Sequence, residues 1–117
     1  GCLVVSLSNS QIMFLLLAAF ILLGLFALNE AMAAEHVVEQ KQKKFTVPQL
    51  EVHVGDSVQF KNSDEINHNV FSLSDSKTFD LGSYPKGQSR SVVFDKPGEV
   101  EVECAIHPDM KMKVKVK

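Results

Sequence analysis

Cys104, His107 and Met110 fall within one seven-residue segment, Cys104-Ala105-Ile106-His107-Pro108-Asp109-Met110. A second imidazole, His68, stands 36 residues before Cys104, in Asn67-His68-Asn69-Val70-Phe71. Two imidazoles, one thiolate and one weak thioether are the donor set of a blue-copper site. The mixture suits a metal that changes oxidation state. Thiolate and thioether favour Cu(I), and imidazole accepts both states. A trigonal Cys-His-His plane with a long axial Met serves both, so electron transfer needs little reorganisation. Zinc fits less well, because structural zinc sites are usually four-coordinate and made from Cys and His. A Cys-His nucleophile is a further use of the pair, but no Asn or Asp is evident to orient it and no substrate pocket is implied. A lone buried Cys is usually a small hydrophobe. The spacing of His107 and Met110 is what gives Cys104 chemistry.

Short strands must position these groups. Leu50, Val52 and Val54 alternate with Glu51 and His53, Gly55-Asp56 punctuates, and Val58 and Phe60 then alternate with Gln59 and Lys61. Period-two alternation predicts half-buried strands. His68–Leu73 and Ser89–Asp95 are further strand candidates, the second ended by a Pro97-Gly98 turn. Val100, Val102 and Cys104 alternate with Glu99, Glu101 and Glu103, which points the thiol inward. Met112, Val114 and Val116 alternate with Lys111, Lys113, Lys115 and Lys117. If these last two strands pair antiparallel, their outer faces are complementary, at about 0.2–1 kcal/mol per opposed pair. Little strand pattern is visible between Leu73 and Gln88, and Phe79–Gly82 is ambiguous. No helical stripe of useful length and no internal repeat is present. Many short strands with turns between them imply a small all-β sandwich or barrel.

Composition sets the frame around this domain. The chain has 117 residues and a formal net charge of −2. Residues 1–33 hold 24 of the 53 hydrophobic residues, and all 12 Lys and Arg lie at or beyond Lys41. An apolar leader is therefore joined to a polar domain. From Ile12 to Leu28 the chain reads IMFLLLAAFILLGLFAL, followed by the small-residue site Ala31-Met32-Ala33-Ala34. Residues 1–33 read as a secretory signal peptide or as an uncleaved membrane anchor, the apolar run being just long enough to span. Either reading places the rest outside the cytoplasm, in the periplasm or its equivalent, with membrane contact only if the leader stays. Residues 34–44 read as a linker or a first edge strand, and residues 45–117 as the folded domain. One small domain excludes a two-domain enzyme. A single apolar segment excludes a multi-span membrane protein. A near-neutral charge argues against nucleic-acid binding. Cys2 lies in the leader, so the domain holds one thiol and no internal disulfide. An unpaired thiol in an oxidising compartment is a liability unless something holds it.

The remaining polar residues yield less. His53 alternates with an apolar face and reads as a surface strand residue. His36 has a sharper reading: cleavage after Ala33 would start the chain Ala34-Glu35-His36, whose amine, amides and imidazole suit square-planar Cu(II). Asp64, Glu65 and Asp75 lie in expected loops and read as solvated. No catalytic carboxylate pair and no Gly-rich phosphate loop is found.

Taken together, the residues resemble the cupredoxin (type 1 blue-copper) family, and within it the small amicyanin- and plastocyanin-like proteins. The resemblance rests on His68-Asn69-Val70, the Pro97-Gly98 turn and the short, amicyanin-like Cys104-x-x-His107-Pro-x-Met110 loop, and it covers about residues 45–117. It implies a Greek-key β-sandwich behind the N-terminal signal or anchor helix. It implies one copper ion cycling between Cu(II) and Cu(I), and single-electron shuttling between extracytoplasmic redox partner proteins by a monomer that is not an enzyme. Copper carriage or buffering by the same ligands is the alternative. Carried over by position, His68, Cys104 and His107 would be the strong equatorial ligands and Met110 the axial one. Met112 is the alternative axial ligand, because Cys-x-x-His-x4-Met is the plastocyanin-like spacing, although its phase with Val114 and Val116 suits a core residue. Asn69 matches a position that ties the two ligand loops together and tunes the thiolate. His107 would be the electron port, with Ile106 and Pro108 as neighbours in an apolar docking patch.

Overall fold

In the computed structural model, which describes residue 6, residues 8–17 and residues 32–117, the alternating patterns become strands. They are β1 (Glu35–Lys41), β2 (Lys44–Phe45), β3 (Gln49–Val52), β4 (Ser57–Asn62), β5 (His68–Ser74), β6 (Lys77–Tyr84), β7 (Ser89–Val93), β8 (Gly98–Glu103) and β9 (Lys111–Val116). Two sheets form, in the orders β2-β1-β4-β7 and β3-β9-β8-β5-β6. β1 lies parallel to β4, and β3 parallel to β9. Parallel neighbours cannot be joined by a tight hairpin, so the chain crosses repeatedly between the sheets. The result is a two-sheet β-sandwich, the architecture that the resemblance implies.

The leader and the β-unit are separate units, divided after Met32. The described part of the leader is helical over residues 9–17. Among the described residues no helix is long and apolar enough to cross a membrane. Most of the 12–28 apolar run, and Cys2, lie outside the described residues.

The inward faces meet in one core. Val38 of β1, Val58 and Phe60 of β4, Val70 of β5, and Val100 and Val102 of β8 have no exposed surface. Tyr84 is also fully buried, and its hydroxyl donates to the Phe60 carbonyl at 2.9 Å. A buried hydroxyl without a partner would be costly, and this bond ties β6 across to β4 in the other sheet. Burial raises the Tyr84 hydroxyl well above its ordinary range, against a smaller opposing pull from the Arg90 guanidinium.

The charged faces of β8 and β9 pair as the alternation suggested. Glu99 stands opposite Lys115, Glu101 opposite Lys113, and Glu103 opposite Lys111. Ion pairs form between Lys111 and Glu103 at 3.6 Å and between Lys113 and Glu99 at 3.5 Å.

Three expectations need amendment. The 34–44 stretch contains the first strand, β1, which pairs with β4 from Glu35 to Gln40 while short β2 pairs with its last two residues on the other side. The stretch with little visible pattern contains β6, a sheet-edge strand paired with β5. Up to Leu81 its burial alternates only between half-buried and exposed, because an edge strand is poorly covered, and the period breaks at Gly82. Val54 lies beyond the end of β3 in the following turn and is 48% exposed.

Candidate metal centre

β5 and β8 are antiparallel neighbours, with Phe71 opposite Glu103. That register sets the start of β5 beside the end of β8, although His68 and Cys104 are far apart in sequence. His68 and Val70 both face the core, as do Val102 and Cys104. His68 is wholly buried and Cys104 is 2% exposed. The loop from β8 to β9 then turns back on itself. Met110 donates its N–H to the His107 carbonyl at 2.9 Å, and Cys104 donates its N–H to the Met110 carbonyl at 3.2 Å. This fold of the loop returns His107 toward the thiol.

Three donors converge as a result. Cys104 Sγ lies 4.0 Å from His68 Nδ1 and 3.9 Å from His107 Nδ1. All three atoms lie within 4.8 Å of one another. The two rings meet edge to face, with centroids 5.0 Å apart and planes at 63°. A point between atoms so spaced is roughly 2.4 Å from each, near the ~2.0–2.3 Å bonds that imidazole and thiolate make to divalent zinc. The residues therefore fit a metal ion. Two nitrogens and one sulfur, with thioethers nearby in sequence, select copper over zinc or hard cations. Met110 is 1% exposed immediately before β9, and Met112 is 3% exposed within it, opposite Val102.

The thiol is also held from outside the triad. The Asn69 N–H is directed at Cys104 Sγ at 3.4 Å. The Asn69 side chain accepts the Ala105 N–H at 3.3 Å and donates to Asp80 at 3.0 Å. It thereby joins the β5 start, the loop after β8 and β6. A bulge makes the last contact possible, because the β5–β6 register slips between Asn69 and Phe71. Gly82 takes the slip with a φ of 72°, a conformation that glycine adopts without a side-chain clash. The Gly82 N–H, and next the Asn69 amide, hold the Asp80 carboxyl below its ordinary range.

Asp64 was expected to be a solvated loop residue, and the structure corrects this. Its Oδ2 lies 2.6 Å from His68 Nε2, and its side chain is only 14% exposed. Burial pushes its carboxyl up, but the Lys43 N–H, the His68 ring and the Gln42 N–H together hold it below its ordinary range. Sequence offered only the four-residue spacing to His68 as a signal. Neighbouring Glu65 is exposed and pairs with Lys86.

The other histidines stay apart from this centre. His53 lies one residue past β3 with its side chain 86% exposed. His36 Nε2 lies 3.0 Å from Asp56, and the Ala34 N–H donates to the same carboxylate at 2.9 Å. Residues 35 and 36 are engaged in the ladder with β4, so a square-planar site there would require β1 to open. At the surface, His107 is half-buried beside exposed Ala105, Ile106 and Pro108.

Comparison with known proteins identifies a copper-binding family. Residues 32–117 match the family model of copper-binding proteins of the plastocyanin/azurin family. Amicyanin-alpha of Methylorubrum extorquens is 32% identical over 96 residues, which cover 80% of this chain and 81% of the relative. Amicyanin of Paracoccus denitrificans is 31% identical over 94 residues, covering 78% and 72%. The solved structure of a reduced amicyanin variant aligns with a TM-score of 0.67 at 30% identity, covering 75% of this chain and 87% of that one. The chain therefore belongs to the plastocyanin/azurin family of copper-binding proteins.

Proposed function

We propose that this protein is an exported, monomeric one-electron carrier with a single copper ion held by His68, Cys104 and His107, and by Met110 axially. The observation that carries the reading is the convergence of one thiol and two imidazoles, all within 4.8 Å of one another and mostly shielded from water. When bound, copper supplies the redox step by alternating between Cu(II) and Cu(I). The chain's own part is to hold donors acceptable to both states in a sandwich that does not rearrange. Burial of His68 and Cys104 excludes water and added ligands. Half-buried His107, flanked by exposed apolar Ile106 and Pro108, would be the point of contact for redox partner proteins. The relatives' shared identity as amicyanins supports an electron-carrying role, and the apolar leader supports export and a periplasmic location.

Voltammetry of the copper-loaded protein tests the role. An electron carrier gives a reversible one-electron wave, fast self-exchange, and copper retention against a competing chelator in both oxidation states. Rapid loss of Cu(I) to the chelator, with no reversible wave, would mark the protein as a copper carrier instead.

A further inference from the structure

His68 is wholly buried, yet its ring carries two nitrogens that both need partners. Nδ1 faces the Cys104 thiol at 4.0 Å. Nε2 faces Asp64 Oδ2 at 2.6 Å. A ring that offers its Nδ1 lone pair to a metal must carry its proton on Nε2. The contact with Asp64 is then an N–H donated to a carboxylate.

The carboxylate is itself fixed in place. It accepts the Gln42 N–H on Oδ1 at 2.6 Å and the Lys43 N–H on Oδ2 at 2.9 Å. The Asp64 N–H donates to Asn62 Oδ1 at 2.8 Å. Gln42 and Lys43 both adopt left-handed backbone, with φ of 54° and 57°, which is uncommon for residues other than glycine. Successive peptide N–H groups aimed at one carboxylate form an anion-binding concavity. The turn between β1 and β2 thus holds Asp64, and Asp64 holds His68. Among the described residues no carboxylate is paired with the His107 ring. The two imidazoles of the triad are therefore supported unequally.

We infer that Asp64 is a positioning residue of the copper centre, one that fixes the tautomer and orientation of His68 and, through its charge, favours Cu(II) over Cu(I). The inference rests on the copper reading above. A carboxylate accepting the outer N–H of a ligand imidazole makes the ring a stronger donor. The more highly charged metal state gains more from that donor. Removing the charge while keeping the shape must then shift the balance toward Cu(I).

The test compares the native protein with Asp64→Asn, Asp64→Glu and Asp75→Asn. Asp75 is exposed, in the turn between β5 and β6, so its variant removes the same charge away from the triad. Asp64→Asn is expected to keep a thiolate–copper visible band but raise the preference for Cu(I) about tenfold, a potential shift of about +59 mV for one electron. Asp64→Glu is expected to move back toward the native potential, and Asp75→Asn to match it. An Asp64→Asn protein with native spectrum and native potential would overturn the inference. So would an equal shift from Asp75→Asn, which would mark an effect of net charge alone. If Asp64→Asn does not fold, the native apo-protein supplies the second measurement by proton–nitrogen NMR. A slowly exchanging Nε2–H on His68, absent on His107, supports the inference, and a His68 protonated on Nδ1 instead overturns it. The apo-protein result stands whether or not native protein gives a blue-copper spectrum, so failure of the copper reading is seen separately.

Discussion

Met110 and Met112 are both buried at the entrance to β9, but they serve different neighbours. Met112 stands opposite Val102 and in phase with Val114 and Val116, as a core side chain does. Met110 precedes the strand, and its backbone closes the loop onto both Cys104 and His107. Met112→Leu is then a volume-conserving core change costing less than about 1.5 kcal/mol, with little effect on the copper spectrum. Met110→Leu is expected to alter both spectrum and potential while the fold persists. Visible spectra and voltammetry of the two variants check this, and the reverse pattern would assign Met112 as the axial ligand. Asn69→Ala removes two side-chain hydrogen bonds, each contributing about 0.5–1.5 kcal/mol, so denaturant unfolding of the apo-protein should show a loss of about 1–3 kcal/mol. The donor residues were legible in sequence because three of them share one short segment and strand parity turns Cys104 inward. Asp64 was not legible, because its role depends on backbone N–H groups of Gln42 and Lys43, more than twenty residues earlier.

The β8–β9 ladder shows at the level of elements what alternation can specify. Lys113 lies opposite Glu101 and also reaches Glu99 at 3.5 Å. Lys113→Glu would set like charges against one another, at a cost of about 0.2–1 kcal/mol for each opposed pair. Its melting temperature should fall at low ionic strength. The deficit should shrink in 1 M salt, where the screening length is about 3 Å. A deficit independent of salt would assign the loss to packing. β8 and β9 were readable because one face of each is buried and the other charged. β6 was not, because its edge position leaves Thr78, Asp80 and Ser83 exposed while Phe79 and Leu81 are only partly covered. The bulge at Gly82 further breaks any simple period.

At the scale of the molecule, Asp56 fastens the start of β1 to the corner between β3 and β4. Its carboxylate accepts the His53 N–H at 2.9 Å, the His36 ring at 3.0 Å and the Ala34 N–H at 2.9 Å. The His53 N–H, then the His36 ring and the Ala34 N–H, hold its carboxyl far below the ordinary range. A carboxyl depressed in the folded state contributes stability above its unfolded pKa of about 3.9, and that contribution fades as pH falls further. Asp56→Asn should therefore be less stable than native protein at pH 7, and the gap should narrow as pH falls from about 4 to about 2. Thermal melts of the apo-protein across that range measure the gap, and a constant gap would deny Asp56 this role. The sandwich class was legible from many short alternating segments. The parallel pairing of β1 with β4 was not, because it is set by contacts across the chain and leaves no mark in either strand. Across the molecule, the strands bring one thiol and two imidazoles together with two of the three residues buried. Adding Cu(II) to the purified protein and recording its visible and electron paramagnetic resonance spectra tests that most directly. The expected result is an intense thiolate-to-copper band with narrow copper hyperfine splitting, abolished by Cys104→Ala. A weakly absorbing copper complex with wide hyperfine splitting, formed by correctly folded protein, would contradict the blue-copper assignment.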